Sequence, residues 1–259
     1  MGGKAFVLLS GGIDSSTCLF IALNQFDSVE AVSIDYGQRH IKEASYARMI
    51  CERVGVKHSV LNLQGIVPKT MLTDSSAEVP SISYDQIKGV SPTYVPFRNG
   101  LMLSAITSYV AGKRVEAEKE VLFDGRNEWG IFFGAHAEDA QNWAYPDCTP
   151  EFIGALANAI HVGTYYGIRL HTPLEWLNKP QIIEWGEKLG VPWELTWSCY
   201  KGEEWHCGVC PTCRARQEGF RRANVKDPTE YSPNAFEENP LATAGEEVPG
   251  TSEESIWGS

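Results

Sequence analysis

The stretch SGGIDSS, Ser10 to Ser16, follows an apolar run, AFVLL (residues 5–9), and leads into a helical pattern. A strand, a turn of small residues and a helix together make a phosphate site. Gly11 and Gly12 allow close backbone approach. Successive N–H groups form an anion nest, and the helix start adds partial positive charge. Ser10, Ser15 and Ser16 supply hydroxyl donors, and Leu9 and Ile13 flank the turn. The Gly-Lys-[Ser/Thr] ending of the common triphosphate loop is absent. A loop made only of N–H and hydroxyl donors suits a pyrophosphate that must leave. Asp14 is the expected magnesium partner or loop organiser.

Four of the seven cysteines form a second cluster, Cys199, Cys207, Cys210 and Cys213, with spacing C-x7-C-x2-C-x2-C. In a long chain without a secretion signal this suggests a metal and not disulfides. Four thiolates leave no open position, which points to one structural zinc per chain. Thiol chemistry at a C-x2-C pair and an iron–sulfur cluster are the competing readings. His206 reads as a neighbour of the cluster. Cys18 and Cys51 read as core, and Cys148 as a thiol beside Asp147.

The elements that must hold these residues alternate along the chain. Strands are expected at 5–9, 29–37, 58–63, 129–136 and 168–174, and helices at 14–26, 42–56, 99–113, 149–167 and 178–190. The βαβαβ rhythm indicates a parallel sheet with right-handed crossovers. Ligands then bind at the carboxyl ends of the strands, where Ser10, Asp35, His136 and Thr172 fall. Residues 64–93 read as a polar loop, either a cover for the site or ordinary surface.

A formal net charge of −11 argues against a broad nucleic-acid surface. The acidity is uneven, because residues 232–259 carry six Glu and no Lys or Arg, leaving the body near −5. We read residues 1–230 as one domain and 231–259 as an acidic, solvated tail. With no apolar run near ~20 residues and no signal-peptide pattern, a cytoplasmic location without membrane contact is expected.

The loop SGGIDS after a first strand resembles the pyrophosphate loop of the ATP-pyrophosphatase (PP-loop) superfamily. With SIDYGQRH, Glu43, YVPFRN, GAHAED, YPDCTPEF, HTPLEWLNKPQII and GVPWELTWSCYKG, the chain resembles the 7-cyano-7-deazaguanine synthase family from residue 5 to about 223. The resemblance implies a five-stranded parallel sheet with helices on both faces, a zinc-bearing C-terminal lobe and a homodimer. It also implies an ATP-dependent C–N ligase that turns 7-carboxy-7-deazaguanine and ammonia into the 7-nitrile through adenylylated intermediates and an amide. Magnesium would accompany ATP, and the product would feed modification of tRNA or DNA.

Within that resemblance, Asp14, Lys179 and His136 are the catalytic candidates. The phosphate loop, Asp35, Gln38 and Arg98 are expected at ATP. Asp147, Tyr145 and Asp139 are expected at the base, with Asp147 accepting from its guanine-like edge. The competing role for Asp147 is at the helix entrance with Thr149. Trp143 and Phe152 are further stacking candidates. The chain departs from the family pattern at Phe97, where Gly is usual, at Gly100, where Thr is common, and in the longer 112–130 segment. Three other readings stay open: an enzyme that stops at 7-amido-7-deazaguanine, a PP-loop tRNA thiolase, and a zinc-knuckle binding module with an inactive nucleotide fold. The acidic body disfavours the thiolase, and the intact SGGIDS disfavours the binding module.

Overall fold

The computed structural model describes residues 3–38, 41–74, 90–117, 129–136, 138–139, 145–202, 204–233 and 235. The tail from 236, Trp143, residues 75–89 of the polar loop and residues 118–128 of the long segment lie outside them.

Five strands, β1 (Lys4–Leu8), β2 (Ser28–Asp35), β3 (Lys57–Asn62), β4 (Trp129–Phe132) and β5 (Ile168–His171), form one sheet in the order β3-β2-β1-β4-β5. Every pairing is parallel. Helices α1 (Ile13–Gln25), α2 (Ile41–Val54), α3 (Arg98–Ala117), α4 (Pro150–Gly163), α5 (Lys179–Leu189) and α6 (Pro211–Arg222) cover both faces. Alternation along β1 explains the two layers. Ala5, Val7 and Leu9 pack with residues of α1, α2, α5 and α6, whereas Phe6 and Leu8 pack with Leu103, Ile106 and Val110 of α3 and Ile153 and Ile160 of α4. Both faces of β1 are thus apolar, which is why its sequence reads as an unbroken hydrophobic run. Among the described residues no helix is long and apolar enough to cross a membrane.

Two of the helices are capped by residues next to them in the chain. Thr149 accepts from the Phe152 N–H at the start of α4, with Pro150 in the first turn. Asn178 and Gln181 make a reciprocal capping box on α5, and Gly190 closes that helix at φ 78°. The fourth strand is shorter than expected, ending at Phe132 instead of His136. Beyond it the chain presses on the phosphate loop, where a Cβ at Gly134 would sit 3.2 Å from backbone atoms of Asp14 and Ser15. That contact replaces further strand pairing and leaves His136 on an irregular segment above the sheet.

Candidate active site

The chain turns back at β1, whose neighbours β2 and β4 are reached from opposite directions. A cavity of about 270 Å³ opens at the carboxyl ends of these three strands. Its floor is the phosphate loop. Gly11 adopts φ +88°, and a Cβ there would meet the Glu43 carbonyl at 2.7 Å and the Ala47 nitrogen at 2.8 Å. Only glycine lets the loop lie this close to α2. The Trp197 N–H fixes the loop from the other side by donating to the Gly11 carbonyl at 2.8 Å. Ser10 and Ser15 hydroxyls stand 3.0 Å apart. Among the described residues no side chain caps α1 at Gly12. Leu9, Ser10, Gly12, Ile13, Asp14 and Ser15 face the cavity. Gly11 and Ser16 lie behind it, and the buried Ser16 hydroxyl has no partner among the described residues.

The β4 side carries a charged cluster. Lys179, at the start of α5, donates from Nζ to both Asp14 oxygens, at 2.7 and 2.8 Å, and stands 3.0 Å from His136 Nε2. Asp139 lies 3.3 Å from the same His136 nitrogen. Burial alone would lower the Lys179 pKa, but the charges of Asp14 and Asp139 outweigh it and raise it. Burial opposes ionisation of Asp14 too, and Lys179 and His136 overcome it, so its carboxyl is held below the usual range. Lys179 is therefore a firm cation over a firm anion. Sequence reasoning missed Glu138, which accepts from the Lys179 backbone N–H at 3.2 Å and so supports the start of α5.

The β2 side is aromatic and basic. Tyr36, Gln38, Arg98, Glu43 and Tyr200 face the cavity there. Arg98 lies beside Tyr36 and Tyr200. Gln38 folds onto its own turn, accepting from the Tyr36 N–H at 2.9 Å and donating to the Ile34 carbonyl at 3.0 Å. Asp35, expected at ATP, does not line the cavity: it accepts from the Gly37 N–H at 3.0 Å and from Gln64 at 2.6 Å, fixing the end of β2.

Asp147 and Tyr145, expected at the base, also stand outside the cavity lining, whereas Asp139 and Cys148 are part of it. Asp147 Oδ2 accepts from the Asn99 N–H at 2.9 Å, in the first turn of α3, and the Asn99 side chain returns to the Asp147 carbonyl at 3.2 Å. Tyr145 is buried, with its hydroxyl on Ser91 and Thr93. The geometry therefore gives Asp147 a helix-entrance role, at α3 and not at α4 with Thr149.

The four cysteines are all buried, with their sulfurs within 4.8 Å of one another. The Cys207 and Cys213 sulfurs stand 3.9 Å apart, close to the edge of about 3.8 Å of a tetrahedron with metal–sulfur bonds of about 2.3 Å. Cys207 and Cys210 N–H groups donate to the sulfurs of Cys199 and Cys207, each at 3.3 Å. These bonds favour thiolates, so the set fits a metal ion. His206 is not in it: its Nε2 accepts from the Ser198 N–H at 3.1 Å, and its ring lies 4.0 Å from that of Trp197.

Residues 4–224 match the family model described as queuosine biosynthesis protein QueC. The 7-cyano-7-deazaguanine synthase of Thermoplasma volcanium is 44% identical over 238 residues, covering 90% of this chain and 92% of that one. The corresponding protein of Caldicellulosiruptor saccharolyticus is 40% identical over 230 residues, covering 88% and 95%. The solved NMN synthetase of Francisella tularensis is more distant, at a TM-score of 0.42 and 15% identity over 91% of this chain and 81% of that one. With a glycine loop at the sheet's reversal point, a buried thiol cluster, the family-model match over residues 4–224 and relatives at 40–44% identity along about nine tenths of its length, this chain belongs to the QueC family of queuosine biosynthesis proteins.

Proposed function

We propose that this protein converts 7-carboxy-7-deazaguanine and ammonia to 7-cyano-7-deazaguanine at the expense of ATP. The observation that carries the reading is the glycine loop open to a cavity whose wall bears Asp14, Lys179 and His136. A carboxylate is a poor electrophile because oxide is a poor leaving group. Transfer of AMP to the carboxylate oxygen releases pyrophosphate and creates a good leaving group. Ammonia adds to that carbon, AMP departs, and a proton is lost to leave the amide. A second adenylylation on the amide oxygen, followed by loss of AMP and of both N–H protons, gives the nitrile.

The chain's part is positioning and charge stabilisation. The N–H groups of the first turn of α1 and the Ser10 and Ser15 hydroxyls hold the departing pyrophosphate. Lys179 neutralises charge developing near the transferred phosphoryl group. His136, 3.0 Å from Lys179 Nζ and 3.3 Å from Asp139, is set to take the proton from nitrogen. Asp14 would hold magnesium, which supplies charge neutralisation on the phosphates when bound. Cys199, Cys207, Cys210 and Cys213 would hold one structural zinc. The working form is a homodimer in the cytoplasm.

Mass spectrometry of a reaction containing the carboxylic acid, ATP, magnesium and ammonium tests the proposal. The nitrile with two equivalents each of AMP and pyrophosphate is expected. ADP and phosphate as the nucleotide products, or accumulation of the amide alone, would overturn it.

A further inference from the structure

We propose that Glu43 is the specificity residue for the base, its carboxylate accepting the ring N–H and the exocyclic amine of the deazaguanine. The inference rests on the function proposed above. An aminopyrimidinone edge presents two donors side by side, and its natural complement is a carboxylate with two acceptor oxygens.

Four carboxylates face the cavity among the described residues: Asp14, Glu43, Glu138 and Asp139. Three have partners. Asp14 holds Lys179 with both oxygens, Glu138 accepts from the Lys179 N–H, and Asp139 lies against His136. Glu43 makes no side-chain hydrogen bond and no ion pair with any described residue, although it is largely withdrawn from solvent. A carboxylate so placed without donors is unfavourable unless a ligand supplies them. Burial pushes its carboxyl up to about 7, and Arg98 offsets only part of that rise.

Its position suits the base. Glu43 lies in the first turn of α2, on the β2 side of the cavity, and α2 is fixed against the phosphate loop by the close approach at Gly11. Lys179, His136 and Asp139 occupy the β4 side. The carboxyl group of the substrate and its aminopyrimidine edge lie at opposite ends of a flat ring system. With the carboxyl at the phosphate loop and the β4 wall, the other edge reaches toward β2. Arg98 on that side can donate to the ring carbonyl beside the N–H, and Tyr36 and Tyr200 offer faces for the rings.

The test compares 7-carboxy-7-deazaguanine with its analogue lacking the exocyclic amine, by equilibrium binding to wild type and to Glu43→Gln. Wild type should bind the analogue roughly 10- to 100-fold more weakly. Glu43→Gln should bind the parent base as weakly as wild type binds the analogue, and should distinguish the two less than about threefold, with an unreduced melting temperature. Glu43→Ala gives the same comparison if the amide disturbs α2. A variant that still discriminates as wild type does overturns the inference, as does a loss confined to kcat, which would mark Glu43 as a base in the chemical step. Wild type that turns over no carboxylic acid overturns the function itself, an outcome distinct from active enzyme with unchanged discrimination in Glu43→Gln.

Discussion

Lys179 Nζ touches both carboxylate oxygens of Asp14, at 2.7 and 2.8 Å, across 165 positions of sequence. The contact joins the start of α5 to the glycine loop, and under the proposed function it sets a cation where phosphoryl charge would develop. Replacing Lys179 with Ala should lower kcat/KM about 10²- to 10³-fold, while circular dichroism shows an unchanged fold. Lys179→Arg should not restore activity, because a planar fork cannot address the two Asp14 oxygens and His136 from one atom. Near-normal steady-state rates in Lys179→Ala would remove it from the site.

The thiol cluster and the phosphate loop are mechanically connected. Trp197, two residues before Cys199, donates its N–H to Gly11 at 2.8 Å, and its indole N–H bonds the Cys199 carbonyl at 2.9 Å. Cys207→Ser should therefore lose the metal ion and weaken ATP binding together. Elemental analysis should find about one zinc per wild-type chain. Iron with a visible charge-transfer band would contradict that assignment, and unaltered ATP binding in the metal-free variant would disprove the connection.

Arg216 is fully buried and pairs with Asp227 at 3.1 Å, while also donating to Thr196 at 2.7 Å and to the Trp193 carbonyl at 3.2 Å. Burial would raise the Asp227 pKa, but Arg216 and the bonds from Tyr231 and Thr229 hold it below the ordinary value. A depressed carboxylate contributes stability that is present above its unfolded pKa of about 3.9 and is lost as pH falls through its folded pKa. Wild type should lose melting temperature below about pH 4. Asp227→Asn should be destabilised near neutrality by about 3 kcal/mol, since it strands a buried guanidinium, and should lose less on acidification. Parallel acid melts of the two proteins would decide the point.

Phe97 and Gly100 form a matched pair around Arg98. Phe97 sits at φ 54°, a conformation that favours glycine, and its ring fills the space of any Cβ at Gly100. Gly100→Ala alone should destabilise by about 1–3 kcal/mol. Adding Phe97→Gly should return most of that loss, because the ring is gone and the backbone strain is relieved. Additive denaturation energies in the double-variant cycle would refute the coupling.

Local chemistry made much of this protein legible from its sequence. The SGGIDSS loop and the cysteine spacing are contiguous, so the groups that act together lie next to one another in the chain. Residues 5–8 of β1 and all of β4 are continuous apolar runs because both of their faces are covered, and the caps Thr149, Asn178 and Gly190 act within one turn of their helices. Tertiary structure decided which polar residues are already engaged. Asp35, Glu43 and Asp147 are three carboxylates near strand ends or helix starts, and local pattern treats them alike. Folding commits Asp35 to the turn after β2 and Asp147 to the Asn99 N–H, and leaves Glu43 facing the cavity with no hydrogen-bond or ion-pair partner among the described residues. Those assignments depend on contacts 48 positions apart for Asp147 and 29 for Asp35 with Gln64, set by packing across elements that no local window contains. The sequence supplied the donors and acceptors, and the order in which the strands pair determined which of them a ligand can meet.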